Sequence, residues 1–452
     1  MSKNQNIEQL YLLLKQGPSK AVSLVKSLGI SQPTFSRLWA DIRGGVVLGA
    51  GKARQYALRR EVQGVDAPIP VFRVNAAGEV APLGQLDVLQ GGFYAMVPLE
   101  GTHYEVYQGM PFFISDLRPQ GFLGRMEPGR NRELDLPGDI LRWTTEQILK
   151  YISRRSEHAA GDLILGNESY GRYLESAAAQ EASVIPDHVR GAHYPRMGED
   201  SMQGEAPGSS AGGEQPKFTA IIQRADEAQT VDHVIVKFSP KITTPSGVRW
   251  GDLLICEHLA LQTLSRNGIA AARTAILELD DRVFLEVVRF DRVGLRGRLP
   301  MATFSALDGD LGMMDQNWTA VAQELGRLGE LPVQDIVTVE VLDLFGALIG
   351  NTDKHHGNIA VAWTLERKHS LLAAYDMLPM LYRPNTHGEI VDREWRTEYI
   401  GRLELRHLPL CYRMAHQFWR DVLADPRISP DFKTVAQRHL QAIAPLAPAG
   451  TQ

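Results

Sequence analysis

Asp353 and Asn358 stand five positions apart in the segment Leu348-Ile349-Gly350-Asn351-Thr352-Asp353-Lys354-His355-His356-Gly357-Asn358. A carboxylate can accept the proton of an attacking hydroxyl, and an amide oxygen is a hard ligand suited to Mg2+. The same spacing performs both tasks in enzymes that transfer phosphoryl groups. Eighteen residues after Asn358, Asp376 follows the apolar run Leu371-Leu372-Ala373-Ala374-Tyr375. Alone it would read as a capping residue. After Asp353 and Asn358 it reads as a second metal ligand. His355 and His356 are zinc-ligand types, but adjacent histidines point apart and no cysteine is close in sequence, so zinc is not the expected metal.

Two upstream segments could handle phosphate. Lys237 interrupts the apolar run Val234-Ile235-Val236-Lys237-Phe238. A lysine in such a strand is costly to bury unless it meets an anion. The run Leu253 to Leu264 reads as a helix, and its Glu257 is a candidate partner for Lys237. Before the lysine lies Ser209-Ser210-Ala211-Gly212-Gly213-Glu214-Gln215-Pro216-Lys217. Glycines there let backbone N–H groups approach phosphate oxygens, with Lys217 adding charge. The segment lacks a GK[ST] ending and so is not a P-loop.

The elements that must position these residues follow from periodicity. Ile7, Leu10, Leu13 and Leu14 mark a first helix that stops at Gly17-Pro18. Ser19 is a candidate cap for a second, with Val22, Val25 and Leu28 on one face and Gly29 as its stop. Ser31 caps a third, with Pro33 in its first turn and Phe35, Leu38, Trp39 and Ile42 on its buried side. Val46-Val47-Leu48 and Gln55-Tyr56-Ala57-Leu58 then flank a glycine turn, as a hairpin does. The order is that of a winged helix-turn-helix. It would present Gln32, Thr34, Ser36 and Arg37 to base edges, and Lys52 and Arg54 to phosphate. A module for protein contact is the alternative. Residues 61–69 read as a linker, and residues 70–130 as a small sheet-rich region.

Charge divides the same way. Residues 1–60 carry ten lysines and arginines against two acids, a net +8. The whole chain of 452 residues is −5, so the remainder is −13. A basic head on an acidic body suits a polyanion, double-stranded DNA above all. No secretory leader and no membrane-spanning run appear, and only Cys256 and Cys411 are present, so a cytoplasmic protein is expected.

The order of glycine loop, strand lysine, helix glutamate, Asp-x4-Asn and Asp is that of kinases, although the H-R-D and D-F-G words are missing. Over roughly residues 70–440 the chain resembles the HipA family of bacterial toxin kinases. Its YjjJ-type branch, with an N-terminal DNA-binding module, is the nearest likeness. The carriers are S-S-A-G-G-E-Q-P-K, the V-I-V-K strand, V-R-F-D-R at Val288 to Arg292, G-N-T-D-K-H-H-G-N and Y-D-M-L-P. The resemblance implies an α+β, two-lobed kinase fold, with a lobe over 70–300 and a mostly helical lobe over 301–452, behind a winged helix-turn-helix over 1–60. It implies Asp353 as catalytic base and Asn358 and Asp376 as Mg2+ ligands. ATP would meet Gly212, Gly213, Glu214, Gln215, Lys217, Lys237, Met301, Ala302, Thr303, His355, His356, Asn358, Tyr375 and Asp376. Ser210 would be self-phosphorylated, with neighbouring Ser209 as the alternative, and Asp291 would support the catalytic loop. Where relatives often have an acidic pair, this chain has Ala302-Thr303, so side-chain contacts to adenine are not implied there. The implied partners are a protein carrying serine or threonine, and an antitoxin. A DNA-binding regulator that senses nucleotide and a small-molecule kinase remain open alternatives.

Overall fold

A computed structural model describes residues 2–99, 104–202, 215–401 and 403–448, with the side chains of Lys52 and Asp310 left aside. Its contacts group into two units. One holds Met1–Pro119 and Gly124–Ala177, the other Gln120–Leu123 and Ala178–Gln452.

The first unit begins with the helices Lys3–Leu14, Ala21–Leu28 and Gln32–Trp39. Ser2 and Gln5 form a capping box at the first, and the Ser31 hydroxyl accepts the Thr34 N–H at the third. Gly29 ends the second in the left-handed region at φ 64°. The strands Gly45–Leu48 and Gln55–Leu58 form the expected antiparallel hairpin, and Ser19–Lys20 pairs with Tyr56 and Gln55. Ser19 is therefore in a strand, and Lys20, without a side-chain bond, precedes the second helix. That strand fixes the helix's rotation. Leu24 and Leu28 enter the core beside Leu10, Leu14, Phe35 and Leu38, while Val22 faces solvent, 76% exposed.

The other side of the hairpin is also covered. Val46, Leu48 and Ala57 pack with Leu89 and Ala95, flanked by Phe93 and Tyr104. Those partners belong to a five-stranded antiparallel sheet in the order Glu105–Gln108, Phe93–Pro98, Val80–Val88, Ile69–Val74, Leu163–Leu165. The segment read as a linker is tied in from its start. The Arg60 N–H donates to the Val88 carbonyl (2.8 Å), Arg59 pairs with the buried Asp87, and Val62 is buried. Residues 70–119 thus share a contact unit with the N-terminal helices.

In the second unit a five-stranded sheet runs in the order Thr274–Leu279, Arg282–Val288, Val231–Phe238, Lys217–Gln223, Val184–Pro186, the last strand parallel to its neighbour. Side chains alternate across it. Phe218, Ala220, Ile222, Val234, Val236, Phe238 and Phe284 form one apolar face with Tyr194, from the helix Arg190–Ser201. The helix Pro245–Arg266 packs on Arg282–Val288 and Thr274–Leu279. Beyond two small sheets, one of Arg292–Val293 with Gly297–Arg298 and one of Ala302–Thr303, Ala360–Ala362 and Ser370–Leu371, the rest is mostly helical around Val333–Leu348, whose residues from Val339 to Leu348 are all buried. Trp318–Arg327 and Leu408–Ala424 pack on it, and Pro430–Ile443 packs on the latter. Among the described residues no helix is long and apolar enough to cross a membrane.

Candidate active site

Lys237 lies on a strand whose flanking Val236 and Phe238 belong to the apolar face, so the alternation turns Lys237 to the opposite side. It is 6% exposed. Its Nζ donates to both carboxylate oxygens of Glu257, at 2.7 and 2.8 Å, and to Asp376 Oδ1. Glu257 sits midway along Pro245–Arg266 and is fully buried. A lysine, a helix glutamate and an aspartate that are 20 and 139 residues from the lysine thus meet at one point. Burial by itself would lower the Lys237 ammonium, but Asp376 and Glu257 outweigh it and hold it above the usual lysine range. Burial likewise opposes charge on Asp376, yet Lys237 and then Lys217 keep its carboxyl below the usual range. Lys217 lies directly across the ladder from Lys237, so two cations stand side by side at one end of this strand pair.

Asp376 has φ 52°, in the left-handed region. Aspartate tolerates it better than most residues, at a cost of about 1–2 kcal/mol. Just before it, Ala374 is held on both sides, its N–H donating to Ala270 and its carbonyl accepting from Ala272. The strain turns the Asp376 carboxylate toward Lys237 as the chain leaves that bridge.

The helix Val333–Leu348 is followed by Gly350 at φ 81°, and the loop after it is knitted by its own side chains. Asn358 Nδ2 donates to the Asp353 carbonyl (2.9 Å), closing the five-residue span as a turn. The Tyr375 hydroxyl donates to the Gly357 carbonyl (2.7 Å). His355 is exposed, and its Nδ1 accepts the Gly357 N–H (3.1 Å), which leaves Nε2 as the outward nitrogen. His356 is buried instead. Its Nε2 bonds the Gln316 carbonyl (2.9 Å) and its Nδ1 stands 3.6 Å from Asp308. His356 therefore braces the segment before Trp318.

Ala302 and Thr303 pair with Val361 and Ala360, and the Thr303 hydroxyl caps the helix Phe304–Leu311, so that side chain is spent on structure. Met301 and Gln215 are half-buried. Asp291 binds Arg289 at 2.9 and 2.7 Å and Arg292 at 2.6 Å. Ser209, Ser210, Gly212, Gly213 and Glu214 lie outside the described residues. In the first unit Gln32, Ser36, Arg37 and Arg54 are exposed, and Thr34 is half-buried with its hydroxyl on Ser31 (2.9 Å). The hairpin turn is held in place, since the Tyr104 hydroxyl donates to the Ala53 carbonyl (2.7 Å).

One residue of the site went unread in the sequence. Asn351 is 3% exposed. Its Oδ1 accepts the Asp353 N–H (3.0 Å) and its Nδ2 donates to the Asp376 carbonyl (3.4 Å). It is the hydrogen-bonded link between the loop bearing Asp353 and the strained turn bearing Asp376. The available signal was an amide directly after a helix-ending glycine and two residues before the aspartate.

Comparison with known proteins shows the family. Residues 65–174 match the family described as the YjjJ-like toxin, middle domain, and residues 209–437 match the HipA-like C-terminal domain. Toxin YjjJ of Escherichia coli (strain K12) is 36% identical over 434 residues, which are 95% of this chain and 96% of that one. The chain belongs to the HipA-like toxin family, in its YjjJ-type branch. Among solved structures, a HipA from the Shewanella oneidensis MR-1 toxin–antitoxin complex with HipB and operator DNA is similar, with a TM-score of 0.48 and 14% identity, covering 83% of this chain and 96% of that one. The Helicobacter pylori proinflammatory kinase CtkA is similar with a TM-score of 0.34 and 12% identity, over 50% of this chain and 88% of that one. Of the residues that the motifs singled out, the second unit brings Glu257 and Asp376 to Lys237, with Lys217 across the ladder from it.

Proposed function

We propose that the chain is an ATP- and Mg2+-dependent serine/threonine protein kinase of the HipA type that restrains growth when unopposed. The observation that carries this reading is the meeting of Lys237, Glu257 and Asp376, with Asn351 linking Asp376 to Asp353. The residues fit the groups the reading requires. Asn358 and Asp376 offer the oxygen donors that suit Mg2+, and Lys237 and Lys217 offer cations for phosphate oxygens. Bound Mg2+ would neutralise charge on the phosphates. Lys237, fixed by Glu257, would donate to them, and Asp353 would take the proton of the incoming hydroxyl. Most of the rate enhancement then comes from positioning and fixed charge. His355 Nε2, directed outward by the Gly357 N–H, adds one more donor toward the same space.

Three finer assignments belong to the same reading. Ser210 is the site of self-phosphorylation, and roughly −1.5 to −2 charges added there at neutral pH would weaken nucleotide binding, an off-switch. The N-terminal segment binds duplex DNA through Gln32, Thr34, Ser36 and Arg37, with Lys52 and Arg54 at phosphate. An antitoxin opposes the activity, in keeping with the name toxin that the E. coli relative carries. Asp353→Asn tests the chemistry. It should abolish phosphoryl transfer and leave Mg-ATP binding within about twofold, because the base is lost and the ligands stay. Full activity in that variant would remove Asp353 from the mechanism.

A further inference from the structure

A lysine beside the proposed base invites assignment to the transferring phosphate, but Lys354 is used otherwise. Its Nζ lies 2.6 Å from Asp343 Oδ1 and donates as well to the Asp343 carbonyl (2.8 Å). Asp343 lies in the buried stretch of the helix Val333–Leu348 and is 1% exposed. Its other oxygen accepts the Thr319 N–H (3.1 Å) and hydroxyl (3.0 Å) at the start of Trp318–Arg327. One carboxylate therefore holds three elements. The path to it is built in. Gly346 follows Asp343 by one helical turn, and a Cβ there would come within 2.9 Å of Lys354 Cδ and 3.3 Å of Met377 Sδ. The lysine stem crosses the helix where a side chain is missing.

We infer that Lys354 is a positioning residue, not a phosphate ligand: with Asp343 and Gly346 it clamps the loop that carries Asp353 onto the helix before it. This rests on the kinase reading for its purpose but not for its geometry. The loop is thereby held on two sides of Asp353, by Asn351 before it and by Lys354 after it. An ion pair on a buried carboxylate is costly to break from one side, since the remaining charge has no partner. The clamp thus ties the position of the base to the packing of the helical core.

The test uses the full chain and three variants, Lys354→Met, Asp343→Asn and the two together. Lys354→Met keeps the stem and strands the Asp343 carboxylate. Per folded molecule, its kcat for phosphoryl transfer should fall about 10- to 100-fold through displacement of the base, with KM for ATP within about twofold. Adding Asp343→Asn removes the stranded charge while keeping an acceptor for Thr319, so the double variant should regain activity and melting temperature relative to Lys354→Met. Hydrogen exchange across residues 351–358 should rise in Lys354→Met and fall back in the double variant. A rise in KM for ATP with no rescue would make Lys354 a phosphate ligand and overturn the inference. So would unchanged kcat per folded molecule. If the wild-type chain transfers no phosphate, the kinase reading fails by itself, while the exchange and melting data still decide whether the clamp exists.

Discussion

Asn351 shows how much of the site depends on side chains that do no chemistry. It is buried, with one acceptor committed to the Asp353 N–H and one donor to the Asp376 carbonyl, both bonds part-buried. Asn351→Ala should leave those groups unsatisfied and lower kcat by about tenfold or more, since each such group costs roughly 1–3 kcal/mol. Asn351→Asp keeps the acceptor and loses the donor, and should fall between. Steady-state kinetics with melting temperatures would check this, and equal activity in Asn351→Ala would show that the loop holds itself. Sequence reading found the residues with a distinctive spacing or environment, namely Asp353, Asn358, Asp376, Lys237 and its partner Glu257. It could not find Asn351 or the Asp343–Lys354 pair, because periodicity does not report which buried polar group meets which. His355 and His356 illustrate the same limit. One faces out and the other is buried against Gln316, a difference that only the turn of the loop decides.

At the scale of elements, the helix Pro245–Arg266 has a second task besides carrying Glu257. Asp252, one turn and a half earlier, is buried and accepts the Ser429 N–H (2.8 Å) and hydroxyl (2.7 Å). The same hydroxyl caps Pro430–Ile443, so the two helices share one serine. Burial pushes the Asp252 carboxyl up to about 6, against the bonds from Ser429 and the charge of Arg249. The folded state then holds this proton over a range where the unfolded chain, near 4, has released it. Stability from this group is greatest at low pH and declines as pH rises from about 4 to 6, by a few kcal/mol at most. Asp252→Asn keeps an acceptor without the charge, so its stability relative to wild type should improve over that interval in denaturant titrations. A difference that stays flat with pH would mean that Asp252 ionises as freely folded as unfolded. Elements themselves were largely legible: the three N-terminal helices, the hairpin and the strand of Lys237 lie where periodicity put them. The face of Ala21–Leu28 was not, because two stripes three and four residues apart compete in so short a helix, and the pairing of Ser19–Lys20 chose the one with Leu24.

For the whole molecule, the division of charge and the division of contacts fall at different places. The basic segment ends near residue 60, but its hairpin buries Val46, Leu48 and Ala57 against the sheet of residues 69–108, and Tyr104 holds its turn. No local pattern marks such a contact, since an apolar face in a hairpin says that it is covered and not by what. DNA binding is therefore best measured on the full chain. Affinity should drop steeply with salt, and Arg54→Ala, at a proposed phosphate contact, should weaken it across sequences and reduce the salt slope by roughly one. No binding at low salt would leave residues 1–60 as a module for protein contact. The central claim, phosphoryl transfer to protein, is tested most directly by mass. The wild-type chain is incubated with Mg-ATP, alone and with proteins from a lysate, and the masses and phosphopeptides are compared with those from Asp353→Asn. The account predicts phosphoryl mass on serine or threonine, Ser210 among them, in the wild type and none in the variant. Bound ATP with no phosphate on any protein, or the same phosphate in both chains, would contradict it.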